Sequence, residues 1–485
     1  MPSTYTPLSK LPLDCWLLIL EYLPSKDLEA VSRVSWEIRA SSEPFLYRHV
    51  SFDWRTVPCD RLLKLLRTIH QRPELSACIE EVTFVSAREN EFLPYRTLNW
   101  RSRLNTSEYG PVLGFCISIV EQGKFPYLRF WKNALRTASG YAFAAILISQ
   151  LINLQTLQLD CSFVLEGGYT GLMMKHAMLS APPGVLSDFA RLKVVDYGSN
   201  SARLKNYAYS AGWMSPNASQ IPNWDTEQFV GWFFVPSLRV LSMWARTPRL
   251  AQDIAHTTSI KRWNLHRLRV LQLPHSAVRV SDLNFLLPYM RSLGALHLGL
   301  HFDSPGLAWK SSRDLQPGLR GVSATLNKLS LNPQFTFRRR SNGLEDAIWY
   351  VCPQEQMRLE PGFLRDFPKL RCIHIPFSDA TGWGTQSTSL ACALPPLIEE
   401  IHIRDCMADL CLPGRRGDEI LDSLEQFLVF HAARFPHLRR IVIYVVYLLT
   451  LSDYFTQMHD HVCQLGQQKG IRIEFLQPDG RSIAI

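Results

Sequence analysis

The chain has 485 residues, 46% of them hydrophobic and 20% charged, which is enough apolar material for a large core and excludes bulk disorder. Its net charge of +9 is spread thinly, and the only dense basic runs are Arg338-Arg339-Arg340 and Arg415-Arg416, so no basic stripe of the kind a nucleic-acid binder needs is visible. Eleven cysteines, an odd number without a Cys-x-x-Cys pair, exclude a disulfide framework and predict a reducing, intracellular setting. The first ten residues carry no signal-peptide pattern, and no run reaches the roughly 18 apolar residues of a membrane helix. A soluble cytoplasmic or nuclear protein is expected, with the sequons at Asn105 and Asn217 left unglycosylated.

The first fifty residues predict three short helices. Pro12 has the fixed φ that suits a first helical turn, and Asp14 adds negative charge there. Trp16, Ile19, Leu20 and Leu23 come next at three- and four-residue spacing and form one apolar face, which Pro24 ends. Ser25 opens a second helix carrying Leu28, Val31, Val34 and Ile38, and a third short element spans Pro44 to Val50. Helices this short cannot bury all their apolar surface against one another. The remainder must be covered by the rest of the chain or by a partner.

The order of short motifs is specific: Leu11-Pro12, Ile19-Leu20, Leu23 before Pro24, Asp27-Leu28, then a Val-Ser pair. Residues 8–52 resemble an F-box, and residues 53–75 read as a helical linker behind it. The resemblance implies that Leu11, Pro12, Ile19, Leu20, Leu23, Leu28, Val34 and Ile38 pack within the motif or against the Skp-type adaptor of cullin–RING ubiquitin ligases. One position departs from the pattern: many F-boxes carry Trp where this chain has Ile38, and its own Trp36 lies two residues earlier. Periodicity alone would favour an ordinary helical cap on a repeat array, because amphipathic helix pairs are common.

From residue 76 to about 480 the sequence repeats an apolar-x-x-Leu-x-x-apolar-x-apolar unit. Copies run Leu151-Leu154-Leu157-Leu159, Phe189-Leu192-Val195-Tyr197, Val235-Leu238-Leu241-Met243, Leu265-Leu268-Leu271-Leu273 and Met290-Leu293-Leu296-Leu298. They continue as Leu326-Leu329-Leu331, Phe367-Leu370-Ile373-Ile375, Ile398-Ile401-Ile403 and Phe435-Leu438-Ile441-Ile443, with weaker copies at Ile79-Val82-Phe84 and Ile471-Ile473-Phe475. The unit is similar to the strand of a leucine-rich repeat. With helices predicted between strands, for example over 418–433 and 452–465, the expected fold is α/β: an irregular leucine-rich-repeat solenoid with a curved parallel sheet. Regular repeats of this kind recur every 20 to 29 residues or so. Here equivalent positions are 25 to 46 apart, so insertions are expected near 198–225 and 332–361. The combination resembles the F-box proteins with irregular leucine-rich repeats of filamentous fungi.

Between the last two apolar positions of each strand sits a residue expected on the concave face: Thr83, Gln158, Asp196, Ser242, Gln272, His297, Ser330, His374, His402 and Val442. One strand step further lie Trp244, Arg404 and Tyr444, residue types that make binding hot spots. Trp244, Gln272, His297, Ser330, His374, His402, Arg404 and Tyr444 are therefore the candidate target-binding residues. His374 and His402 are expected on neighbouring strands about 5 Å apart. No acidic or Cys third ligand is seen beside them, and no metal or cofactor is expected. Cys372, within an apolar run, reads as a small hydrophobe.

No Gly-x-Ser-x-Gly elbow, P-loop, dinucleotide fingerprint or His-Glu-x-x-His motif is present, Gly382-Trp383-Gly384 reads as a turn, and the alternate residues of His459-Asp460-His461 point apart on a helix. The expected function is non-catalytic: the substrate receptor of an SCF-type E3 ligase, joined through the adaptor to a cullin and through the repeats to an unknown protein target. The alternatives are a repeat scaffold with no role in degradation and a nucleic-acid binder driven by the +9 charge, the latter predicting steep salt dependence.

Overall fold

The computed structural model describes residues 11–54, 59–86, 106–204, 226–247, 249–257, 265–303, 312–332, 334–336, 359–360, 362–376, 390–404, 416–444 and 453–476. The chain divides into two compact units, Met1–Gly198 with Val235–Ser237, and Ser199–Phe234 with Leu238–Ile485.

The first unit begins with helices α1 (Leu13–Tyr22), α2 (Ser25–Val31) and α3 (Trp36–Arg48). Helix α1 starts at Pro12, whose carbonyl accepts from Trp16 N at 3.1 Å. The second helix does not run through Ile38 as its spacing predicts. The Arg33 and Val34 amides bond back to Ala30 and Val31, which closes α2. Ser35 then adopts extended backbone, and its hydroxyl accepts from Ile38 N at 3.2 Å, an N-cap that starts a new helix. Helix α3 therefore begins at Trp36, and Pro44, expected at a helix start, lies inside it. Trp16, Leu20 and Leu28 form the core of the three helices, with Leu17, Leu23, Val31, Ile38, Phe45 and Leu46 packed around them.

Helix α3 passes directly into strand β1 (His49–Asp53), so residue 52 falls within a strand. Strand β1 pairs in parallel with β2 (Glu81–Val85), β2 with β3 (Thr156–Leu159), and β3 with β4 (Val194–Tyr197). The 53–75 segment holds helix α4 (Cys59–Gln71) and the start of a 3-10 turn, Pro73–Cys78. Ion pairs tie α3 to α1 and to the segment leading into β2. Arg48 bonds Glu21 and Glu80, each at 3.0 Å. Arg72 grips both carboxylate oxygens of the buried Glu43 at 2.7 Å. Behind β1 to β3 an aromatic cluster forms, with Trp54 stacked on Phe84 (5.2 Å) and tilted on Phe163 (4.5 Å).

The second unit contains β5 (Val240–Met243), β6 (Val270–Ser276), β7 (Ala295–Asp303), β8 (Lys328–Leu331), β9 (Gln334–Thr336), β10 (Cys372–Pro376), β11 (Glu400–Arg404), β12 (Arg440–Tyr444) and β13 (Arg472–Leu476). All but β9 pair in parallel in that order, and β9 pairs with β7. The register carries the apolar unit from strand to strand, with Leu241, Leu271, Leu296, Leu329, Ile373, Ile401 and Ile441 side by side. These seven are at most 1% exposed, so the two-residue alternation decides which side faces the core. The helices expected near the C-terminus span Arg416–Phe430 and Asp453–Gln468. Most of both expected insertions, the Gly382–Gly384 pair and both sequons lie outside the described residues.

Arg72 holds the Glu43 carboxyl below the usual glutamate range. A carboxyl lowered in the folded state contributes stability above its unfolded pKa and loses it as pH falls through the folded value. Glu43→Gln should lower the thermal midpoint by a few degrees at pH 7. The gap to the parent protein should shrink below the ordinary glutamate pKa of about 4.3. Thermal melts across that range check both expectations.

Candidate functional site

Helix α1 carries apolar residues on more than one side, yet only the side of Trp16 and Leu20 is buried among the described residues. Trp16 and Leu20 turn inward. Leu18, Ile19 and Tyr22 turn away from that core and are exposed, Tyr22 by 80%, as is Leu11 just before the helix. Val34 in the turn after α2 and Trp36 at the start of α3 are 70% and 75% exposed. Seven large apolar side chains, with Leu13 among them, thus stand open within 26 residues. Exposure on this scale marks an interaction surface.

The eight positions expected to pack within the motif or against the adaptor separate into three groups. Leu11, Pro12, Ile19 and Val34 are at the surface, and Leu23 and Ile38 are half-buried against the core. Leu20 and Leu28 are corrected to core positions, because at 0% and 5% exposure neither has surface to offer a partner. Ile19, grouped by spacing with Trp16 and Leu20, lies at the edge of their face and is 41% exposed. Leu13, Leu18, Tyr22 and Trp36 were missed. For Leu18 and Tyr22 the signal was a second apolar pair, four residues apart on α1, which a search for one apolar face passes over.

The second feature lies on the polar face of β6 to β13. A cavity of about 370 Å³ there is lined by Gln272, His297, Lys328, His374, His402 and Tyr444, among others. Adjacent strands place His297, Ser330, His374 and His402 in one row. His297 Nδ1 and Ser330 Oγ are 2.7 Å apart. The rings of His374 and His402 are 5.7 Å apart, and Tyr444 stacks near both, at 5.3 Å and 6.1 Å. Burial pulls the His374 pKa down to about 3, helped by the positive charges around it, and also lowers His297 and His402. These imidazoles are neutral at physiological pH and offer hydrogen bonds rather than charge. Arg404 donates to Asn332 at 3.4 Å and Arg440 to Glu474 at 2.8 Å, so this face carries both signs. Burial raises the Cys372 thiol, the opposite of what activates a nucleophilic cysteine.

Of the candidate target-binding residues, Gln272 is exposed, and His297, His374, His402, Arg404 and Tyr444 are half-buried on this face. Trp244 is corrected to a core residue at 1% exposure. Strand β5 ends at Met243, so the alternation no longer applies, and the indole N–H donates inward to the His275 carbonyl at 3.0 Å. Ser330 is also buried, tied to His297. The absence of a third donor beside the two histidines is corrected too. Cys372 and Glu400 sit two residues before His374 and His402 and share their face by strand alternation. That signal was present in the sequence.

The F-box domain model matches residues 8–44. No curated protein matches the chain. F-box domains typically bind Skp-type adaptors and in general serve SCF ligases as substrate adaptors, and residues 8–44 of this chain are such a domain. No helix among the described residues is long and apolar enough to cross a membrane.

Trp244→Ala should destabilise the protein by about 3–5 kcal/mol, the cost of emptying a large core site. Denaturant unfolding monitored by fluorescence checks this. A groove residue would instead leave the unfolding midpoint nearly unchanged.

Proposed function

We propose that this chain is the substrate-recognition subunit of an SCF-type cullin–RING ubiquitin ligase. The Skp-type adaptor, and through it the cullin, docks on the F-box. A target protein docks on the polar face of the strands, which form an irregular leucine-rich-repeat solenoid. The observation that carries the reading is the apolar side of α1, which its own unit leaves open together with Val34 and Trp36.

The two faces suit different partners. The F-box face is apolar and supplies burial, the main source of affinity for a helical partner. The polar face offers neutral imidazoles, an amide at Gln272 and a phenol at Tyr444, flanked by Lys328 and Arg404, a mixture suited to reading a protein surface. Its mixed charge argues against a nucleic acid. On this reading the chain is not a catalyst. It contributes by raising the effective concentration of a target near the transfer machinery.

Capture of purified adaptor by the full chain tests the proposal. Ile19→Asp with Tyr22→Asp should weaken capture more than tenfold, as charges placed in a desolvated apolar interface do. The thermal midpoint should hardly move, because both residues are exposed. Leu20→Asp should instead unfold the three helices. Wild-type protein that is folded but ignores the adaptor at micromolar concentration would reject the reading. Point variants are preferable to removing residues 1–52, since that deletion takes most of β1 with it.

A further inference from the structure

Three donor atoms of different softness meet on β10 and β11. Cys372 and Glu400 are register partners, and the strand alternation brings His402 to the same face. His402 Nε2 lies 3.4 Å from Glu400 Oε2, and Cys372 Sγ lies 4.0 Å from the same oxygen. All three donor atoms fall within 4.8 Å of one another. Ligands held at about 2.0–2.3 Å around a tetrahedral ion stand roughly 3.3–3.7 Å apart. Small side-chain rotations close the difference.

Two other features fit the same purpose. His402 Nδ1 lies 3.3 Å from Tyr444 Oη. With that nitrogen protonated and donating to the phenol oxygen, the Nε2 lone pair points to Glu400 and Cys372, as in histidines that bind metals. Among the described residues, Glu400 pairs with no Lys or Arg. Its bonds among the described residues are to Cys372 and His402, while its register neighbour Arg440 is engaged with Glu474 at 2.8 Å.

We infer that Cys372, Glu400 and His402 bind one divalent ion of the zinc class, with a fourth position open towards the groove. A thiolate, a carboxylate and a neutral imidazole cancel the charge of such an ion, and the thiol proton leaves as the metal binds. Lys328 and Arg440 flank Cys372 and Glu400 along the row and oppose a cation. That favours a metal held by sulfur over a hard one such as magnesium or calcium. The inference is independent of adaptor binding.

The test uses the full chain, reduced and stripped of metal, with zinc in equilibrium dialysis and cobalt(II) as an optical probe. One zinc per chain is expected, with a thiolate-to-cobalt charge-transfer band. Cys372→Ser should abolish both, while Cys392→Ser, at an exposed cysteine elsewhere, should keep both. Tyr444→Phe should weaken zinc binding by about 10–100-fold and leave the stoichiometry at one. Failure to bind zinc, or full binding by Cys372→Ser, overturns the inference. Should Cys372→Ser not fold, Glu400→Gln is read by the same assays, and an unchanged affinity for zinc is then the overturning result.

Discussion

The constraint on which the second unit depends is the register of its parallel strands. At the start of each repeat, one amide donates to a carbonyl of the preceding repeat at the same place. Arg269 donates to Arg239, Gly294 to Arg269, Asn327 to Gly294, Arg371 to Asn327, Glu399 to Arg371 and Arg439 to Glu399, each at 2.7–2.9 Å. Each of these six repeats is thereby indexed before its strand begins. A slip of one residue would turn Leu296 or Ile401 outward and bury His297 or His402 in their place. The same ladder that packs the leucines also aligns the imidazoles, so core and groove are two consequences of one register.

That origin explains why the groove residues are so well placed. Strands give less freedom than loops, and a side chain on a paired strand has its direction fixed by the backbone. The rings of His374, His402 and Tyr444 pack on one another at 5.3–6.1 Å, and His297 is held by Ser330. Partial burial keeps the rings uncharged, so they present donors and acceptors of fixed position without the solvation cost of ions. Two cationic residues of the face have partners, Arg440 with Glu474 and Arg404 with Asn332.

Much of this was legible in the sequence, and the failures have physical causes. Long-range periodicity located each apolar row correctly because burial at two-residue spacing leaves a strong trace, as at Leu268-Leu271-Leu273. The adjacency of His374 and His402 came from the same alignment. The alternation failed beyond a strand end, where Trp244 found the His275 carbonyl and turned inward. It was also applied too narrowly, since stepping two residues back would have reached Cys372 and Glu400. In the N-terminal helices the spacing of Val34 and Ile38 suggested one continuous helix, but the hydroxyl of Ser35 outweighed it by capping a new one. Spacing reports which residues share a face only where the backbone stays regular.

The N-terminal module shows the opposite economy of burial. In the strands each apolar residue finds a neighbour in the next repeat, whereas α1 has apolar residues on both sides and neighbours on one. Leu20, Leu28 and Trp16 suffice to fix the three helices against one another, with Leu23 and Ile38 closing the edge. Nothing further is gained within the unit by Leu18, Ile19, Tyr22 or Trp36, which remain in water. Exposed apolar residues in such number lower solubility without adding stability. A second protein covering them would account for their presence, and F-box domains, whose model matches residues 8–44, typically bind one of that kind.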